Sequence, residues 1–201
     1  MYRSNHQIIL ASSSPRRIEL LQALGVNVRV EKPDVPEFPR PGEAPSEYVQ
    51  RLAEEKGRKV LGTIPTSKDP QLIVSADTIV TLGQRILEKP SDHAAARDML
   101  AQLAGRTHTV FTGMCCLFPQ RNHLRLGVFT TEVEFRELTP EEIAAYVATG
   151  EPMDKAGAYG IQGFGGTFIR SIRGSYSNVM GLPISALVVW LLEEGALQTT
   201  P

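Results

Sequence analysis

The sequence predicts a mixed α/β fold with a mixed sheet and flanking helices, because strand-like and helix-like segments alternate along its 201 residues. Two apolar runs, Ile8 to Ala11 and Leu72 to Ala76, have the length and composition of buried strands. Between them, Ile18, Leu21 and Leu24 repeat at the spacing of one helix face. The chain is therefore predicted to contain both strands and helices.

Composition limits the class of partner. The chain holds 21 basic and 22 acidic residues, a net charge of −1, so it offers no basic stripe to follow a nucleic-acid backbone. We expect one domain over residues 1–201 with two closely joined lobes, and no membrane attachment, because no apolar run approaches the ~20 residues that span a bilayer. The polar segment Met1 to Gln7 does not resemble a signal peptide, which predicts a cytoplasmic location. The adjacent cysteines Cys115 and Cys116 lie in a strand-like run and should point to opposite faces as reduced core residues.

The first unusual motif is Ser12 to Arg17, which joins the first strand to the first helix. Ser14 fits the N-cap and Pro15 the first helical position, where a missing N–H costs nothing. Arg16 and Arg17 then lie in the first turn, where the helix dipole disfavours cations. Either a bound polyphosphate neutralises this cluster, or both arginines are solvated at a surface helix start.

A second strand and an acidic loop follow. Val26, Val28 and Val30 alternate with polar residues, as in a strand. The segment Lys32 to Pro45 is rich in proline and acidic residues, including Asp34 and Glu37, and predicts an ordered loop.

The helix after this loop carries a lysine on its apolar stripe. Tyr48, Val49, Leu52 and Ala53 form the stripe, and Lys56 extends it by one turn from Leu52. Its ammonium either snorkels to solvent or reaches into a site at the end of the helix.

Asp77 and Thr78 come directly after the central apolar run. We expect the strand to end there, at the sheet edge where open α/β proteins bind ligands, with a hairpin around Gly83 to follow. The rest of the chain predicts a helix over 93–103, long strands over 107–118 and 128–138, a helix with a Thr139 capping box, a strand over 168–172, a turn and short strand over 174–184, and a last helix from Pro183.

The segment Glu151 to Gly166 is the second unusual stretch. Its closely spaced glycines leave backbone N–H groups able to approach a ligand, and Asp154, Lys155 and Gln162 add charge and an amide.

Together these motifs resemble the Maf family of nucleoside triphosphate pyrophosphatases, from Ile8 to about Leu192. The matching motifs are Ala11 to Arg17 with Glu19 to Leu21, Ala76 to Thr78, Glu88 to Pro90, Leu103 to Arg106, Glu151 to Gly163 and Met180 to Pro183. The resemblance implies an elongated two-lobed fold around a central cleft, similar to that of inosine triphosphate pyrophosphatases. It also implies a homodimer that cleaves a nucleoside triphosphate substrate between the α and β phosphates with a divalent metal, Mg²⁺ or Mn²⁺.

The resemblance also suggests roles for individual residues. Asp77 matches the catalytic base and a metal ligand, and Glu37 is a second candidate metal ligand unless its loop is only a solvated edge. Hydrolysis at the α phosphate requires cations around the negative charge. The candidate substrate-binding residues are Ser13, Arg16, Arg17, Lys56, Lys89 and Lys155.

Base choice is predicted from Gln162. Its carboxamide offers a donor beside an acceptor, which complements the imide edge of uracil or thymine. Arg16 and Thr78 match the other positions of the subgroup that prefers dTTP and UTP over 7-methyl-GTP. Three alternatives stay open at this point: a non-catalytic regulator of septum formation or cell division, a nucleotide sensor without turnover, and a pyrophosphatase for other modified nucleotides such as 7-methyl-GTP.

Overall fold

The computed structural model describes residues 1–200. The strands are β1 (Tyr2–Ser4), β2 (Gln7–Ala11), β3 (Val28–Glu31), β4 (Gln71–Leu82), β5 (Arg85–Leu87), β6 (Thr107–Phe118), β7 (His123–Phe135), β8 (Ile169–Arg173) and β9 (Leu197–Thr199). The α-helices are α1 (Pro15–Gln22), α2 (Pro45–Leu61), α3 (His93–Leu103), α4 (Pro140–Ala148), α5 (Tyr176–Val179) and α6 (Ile184–Glu193). Short 3₁₀ turns cover Pro119–Arg121, Glu151–Asp154, Ala156–Ala158 and Phe164–Phe168. The predicted mixed α/β class is confirmed.

The chain divides into two compact units. Unit 1 comprises residues 1–77, 112–129 and 181–200, and unit 2 comprises residues 78–111 and 130–180. The main sheet has the order β3-β2-β4-β6-β7-β8, with β5 paired to β4, and its three long strands contribute residues to both units. Among the described residues, no helix is both long and apolar enough to cross a membrane.

Unit 1 is built on parallel strands. β2 pairs in parallel with both β3 and β4, so that Ile8 lies opposite Val28 on one side and Leu72 on the other. Strands covered on both faces need continuous apolar runs, which is the pattern that the sequence shows. Cys116 belongs to the cluster under α1 and α6, whereas Cys115 belongs to the cluster under α2. The prediction that the two thiols are buried on opposite faces is confirmed.

Helix α2 lies unusually close to the sheet of unit 1. A Cβ added at Gly57 would stand 2.8 Å from Ser75 Oγ, and one added at Gly113 would overlap the Val49 carbonyl. Ser75 Oγ donates a hydrogen bond of 2.6 Å to the Ala53 carbonyl, which fixes the helix over β4. The two glycines therefore set the depth at which α2 presents its buried side chains.

Unit 2 has its own core. β5 pairs antiparallel with β4, and β8 pairs antiparallel with β7. Apolar residues of α3 and α4, with rings from the strands and the glycine-rich segment, complete a separate cluster. Within it, His108 and Tyr159 share a buried hydrogen bond of 2.7 Å.

Four predicted boundaries differ from the structure. β4 does not end at Asp77 but continues to Leu82, since residues 78–81 are β-branched and pair onward with β5. β7 occupies 123–135 rather than 128–138, because the tight Pro119–Arg121 turn returns the chain at once. β3 begins at Val28 instead of Val26, and the predicted short strand at 174–184 is wrong because Ser175 caps the short helix α5.

Candidate active-site residues

In unit 1 the structure brings together three of the predicted site residues, Glu37, Lys56 and Asp77, which we call the carboxylate–lysine cluster. Lys56 Nζ lies 2.6 Å from Asp77 Oδ1 and 2.7 Å from Glu37 Oε1. Lys56 and Asp77 are each only 5% exposed, whereas about half of the Glu37 side chain is accessible. The ammonium is held inside by two carboxylates, so snorkelling to solvent does not describe it.

The alternation of side chains along β4 explains why Asp77 lies beside Lys56. Ser75 and Asp77 are two residues apart and share one face of the strand, and Ser75 is hydrogen-bonded to α2. Lys56 lies one helical turn after Leu52 on the face of α2 that packs on this sheet. Asp77 therefore contacts Lys56 of α2 from the middle of β4 and not from the end of a strand. Its neighbour Thr78 points to the opposite face and belongs to unit 2.

The loop that carries Glu37 is attached to α2 by an ion-pair network. Arg51 makes two hydrogen bonds to the Glu43 carboxylate, of 2.5 and 2.7 Å, and a third to the Phe38 carbonyl. Arg51 and Arg40 both also contact Glu55. Because of the paired guanidinium, the pKa of Glu43 falls to about 2. The predicted ordered loop thus has a specific anchor.

The opening motif holds one of its arginines in place. Arg17 Nε donates to the Gly181 carbonyl at 2.7 Å, and Arg17 Nη1 lies 3.4 Å from Ser12 Oγ. Burial lowers the pKa of Arg17, while Asp77 and Glu37 act in the opposite direction. Ser14 is the N-cap residue and Pro15 starts α1, as predicted. The backbone N–H of Ser14 donates to Ser12 Oγ, so Ser12 shapes this turn, and the predicted site residue Ser13 is exposed beside it.

A divalent metal fits part of this arrangement. Among residues 1–200, no group of three or more histidine, cysteine or acidic side chains forms a metal site. Mg²⁺, however, is commonly bound through only one or two carboxylates, with water and substrate phosphates completing the shell. Glu37 and Asp77 supply two carboxylates that already converge on one cation. The donor set thus suits a metal that arrives with a triphosphate.

The other predicted site residues lie in unit 2. Lys155 Nζ contacts the Asp154 carboxylate at 2.6 Å and the Glu151 carbonyl, and is only 15% exposed. Lys89 and Gln162 are exposed, and Thr78 is half-buried. The structure thus divides the predicted site into a unit 1 set (Ser13, Arg16, Arg17, Glu37, Lys56, Asp77) and a unit 2 set (Thr78, Lys89, Lys155, Gln162).

The expectation that the glycine-rich segment leaves its backbone N–H groups to a ligand is wrong for three of them. Gly160 N donates to the Tyr146 hydroxyl at 3.3 Å. Phe164 N and Gly165 N donate to the Glu151 carboxylate at 3.1 and 3.2 Å. The segment is held by an internal carboxylate that makes these donors part of the fold.

Comparison with known proteins agrees with the sequence motifs. The sequence profile of the family described as "Maf-like protein" matches residues 7–194. The chain belongs to the Maf family. A Syntrophus aciditrophicus protein named "dTTP/UTP pyrophosphatase" is 46% identical over 95% of this chain and 91% of its own length. A Desulfotalea psychrophila protein with the same name is 47% identical over 96% of both chains.

The fold of this Maf protein also has a likeness among solved structures. The structure of the Staphylococcus aureus Ham1 protein aligns with a TM-score of 0.50 and 14% sequence identity, over 94% of this chain and 99% of that one. At this identity the likeness concerns the fold alone. It agrees with the mixed sheet and flanking helices described above.

Two residues that organise these regions were given no role by the sequence. Arg51 contacts Glu43 eight positions earlier, a spacing that no helix or strand period brings together. Glu151 belongs to a recognised motif, but its partners lie 13 and 14 positions later, across a loop. The sequence did hold one signal for Glu151. The absence of side chains at Gly163 and Gly165 leaves space for another side chain to pack against the backbone there.

Proposed function

We propose that this Maf protein hydrolyses dTTP and UTP to the monophosphate and pyrophosphate. The observation that carries the proposal is the buried Asp77 carboxylate, held at 2.6 Å by Lys56, in a chain whose relatives are named for this activity. Those names also favour catalysis over a purely regulatory role. We expect the enzyme to act in the cytoplasm as a homodimer.

The chemistry follows from where the charges lie. A water molecule attacks the α phosphorus, the bond from this phosphorus to the bridging oxygen breaks, and pyrophosphate leaves with that oxygen. Asp77 accepts the proton of the water, and Lys56 fixes the orientation of the Asp77 carboxylate. Glu37 and Asp77 would hold a Mg²⁺ or Mn²⁺ ion, which would neutralise phosphate charge when bound.

The proposal assigns the balance of phosphate charge to a set of basic residues. Arg16 and Arg17 supply guanidinium groups at the start of α1, and Arg17 is pre-oriented by the Gly181 carbonyl. Lys89 and Lys155 supply ammonium groups from unit 2. Ser13 supplies a hydroxyl in the same motif as Arg16 and Arg17. Positioning and electrostatics of this kind supply most of the rate in phosphoryl transfer.

Base choice is assigned to Gln162, with Thr78 and Arg16 supporting it. The carboxamide of Gln162 can pair with the N–H and a carbonyl of uracil or thymine. Cytosine presents its donor and acceptor in the reverse order, so a carboxamide held in the orientation that fits the imide would leave polar groups unpaired, at a cost of about 1–3 kcal/mol. This cost corresponds to a preference of roughly 5-fold to 150-fold.

The test is pyrophosphate release from dTTP, UTP, dCTP, dATP, dGTP and 7-methyl-GTP, each with Mg²⁺ and with Mn²⁺. We expect kcat/KM for dTTP and UTP to exceed that for dCTP by about tenfold or more. Faster turnover of 7-methyl-GTP would contradict the substrate assignment. Tight binding of dTTP without pyrophosphate release would identify a sensor instead of an enzyme.

A further inference from the structure

The Glu151 carboxylate is enclosed by groups of the glycine-rich segment. Glu151 Oε1 accepts hydrogen bonds from the Tyr146 hydroxyl at 2.9 Å and from Gly165 N at 3.2 Å. Glu151 Oε2 accepts from Phe164 N at 3.1 Å. The Tyr146 hydroxyl accepts in turn from Gly160 N at 3.3 Å. We call this set of contacts the Glu151 clasp.

Two glycines of the segment leave the space that the clasp occupies. Gly163 has a φ of +73°, and a Cβ there would stand 2.8 Å from Glu151 Oε2. A Cβ at Gly165 would stand 2.6 Å from the Tyr146 hydroxyl and from the Gly160 carbonyl. A side chain at either position would displace the carboxylate or the tyrosine. The two glycines are therefore explained by an internal partner and require no ligand.

The clasp closes both ends of a short loop whose tip carries Gln162. Gly160 is fixed on one side through Tyr146, and Phe164 and Gly165 are fixed on the other through Glu151. Burial, followed by the bond to Glu151, raises the pKa of Tyr146, so that its hydroxyl remains a donor. Gln162 itself is exposed, with its backbone held between two anchored points.

We propose that Glu151 is a positioning residue for base selectivity, acting by holding the loop tip that presents Gln162. This inference rests on the proposed function. Discrimination between an imide and an aminopyrimidine requires the carboxamide to meet the base in one orientation, and a loop free to move would present it in many. Lys155, a proposed phosphate contact, donates to the backbone carbonyl of Glu151 and not to its carboxylate, so a change of the Glu151 side chain leaves this bond and the arginines of α1 in place.

The decisive variant is Glu151→Gln, because glutamine keeps the length but replaces one accepting oxygen by a donor that faces backbone N–H groups. We expect the ratio of kcat/KM for dTTP over dCTP to fall about tenfold, through a higher KM for dTTP. The inhibition constant of inorganic tripolyphosphate should stay within about twofold of wild type, because its phosphate contacts remain. Glu132→Gln, an exposed carboxylate on β7 that faces Arg173, is the matched control and should change neither quantity.

A second pair of variants guards against simple misfolding. Gly163→Ala introduces a Cβ against the clasp, whereas Gly42→Ala has the same left-handed strain at φ +76° with nothing within 4 Å. Only Gly163→Ala should lower the selectivity ratio. Amide exchange gives an independent readout, since Phe164 N–H and Gly165 N–H should lose protection in Glu151→Gln, and Gly160 N–H should lose protection in Tyr146→Phe.

The outcomes separate the two proposals. Wild-type protein that releases no pyrophosphate from dTTP or UTP overturns the proposed function, and the clasp is then judged by amide exchange alone. An active, selective wild type together with unchanged selectivity in Glu151→Gln overturns the positioning role. Unchanged protection of both amides in that variant overturns the clasp itself.

Discussion

Two loops of the molecule carry candidate site residues, and each is held by a glutamate with a different kind of partner. In unit 1 the loop of Glu37 is held through Glu43, whose carboxylate is paired with the Arg51 guanidinium. In unit 2 the loop of Gln162 is held through Glu151, whose partners are backbone N–H groups and a tyrosine. One anchor is an ion pair and the other is a set of neutral donors around one charge.

The two units also differ in the group that responds to acid. The pKa of Glu43 is held at about 2 by Arg51, so the stability it contributes is present above its unfolded pKa of about 4.5 and is lost only as the pH falls toward 2. The unit 2 core instead contains His108, whose pKa burial lowers to about 4. A neutral buried histidine becomes costly as soon as the unfolded chain begins to bind its proton.

The largest expected effect separates chemistry from base choice. Asp77→Asn should reduce pyrophosphate release about 100-fold to 10,000-fold, because an amide cannot accept the proton of the attacking water. The ratio of dTTP to dCTP turnover should remain near that of wild type, since Gln162 and its clasp are intact. Steady-state kinetics with both nucleotides measures the two quantities together.

Asp34→Asn is the matched control, an exposed carboxylate in the same acidic loop as Glu37. It should retain nearly full activity. Retention of more than about a tenth of the wild-type rate by Asp77→Asn would rule out Asp77 as the base, because a general base contributes far more.

The second prediction concerns the pH dependence of unfolding. His108 binds its proton in the unfolded chain at about pH 6.5 and in the folded protein only near pH 4, so stability falls as the pH drops between these values. We expect this residue to remove about 2–3 kcal/mol of unfolding free energy between pH 7 and pH 4.5. Urea unfolding followed by circular dichroism at the two pH values measures the loss.

His108→Gln provides the comparison, since glutamine can still bond the Tyr159 hydroxyl but does not titrate. Its unfolding free energy should start lower at pH 7 and depend less on pH by about the same 2–3 kcal/mol. Equal pH slopes in both proteins would show that other groups cause the acid sensitivity.

The smallest effect on activity and stability is expected from loss of the Arg51–Glu43 ion pair, which holds the loop of Glu37. Arg51→Ala removes the partner of Glu43 and should lower the unfolding free energy by about 1–2 kcal/mol, with a decrease of a few-fold in kcat as Glu37 loses its fixed position. Arg58→Ala, which removes an exposed pairing with Glu54 on the same helix, should cost well under 1 kcal/mol. If the two variants lose stability equally, the bidentate geometry of Arg51 has no special role.

Local patterns predicted much of the fold and a part of the site. The Pro15 start of α1, the Thr139 capping box and the helix over 93–103 depend on neighbours in sequence, and all three are confirmed. The position of Lys56 on an apolar stripe left two alternatives open, and the structure supports the one in which its ammonium is not at the surface.

What the sequence did not reveal depends on contacts between distant segments. β4 passes Asp77 without a break because β5 returns to pair with it, and a strand end cannot be read from β-branched residues alone. The bonds of Glu151 to Phe164 and Gly165 exist only after the loop has closed. Arg51 reaches Glu43 through a turn whose geometry no hydrophobic period describes.

The adjacent thiols of Cys115 and Cys116 on β6 can report when the helices that cover the sheet of unit 1 move away from it. Burial raises the pKa of Cys115 to about 12 and that of Cys116 well above its ordinary value, so we expect neither thiol to react with alkylating reagents while its face is covered. Cys115 lies under α2, and Cys116 lies under α1 and α6. In single-cysteine variants, the labelling rate of each thiol would time the opening of one layer of helices independently of the other.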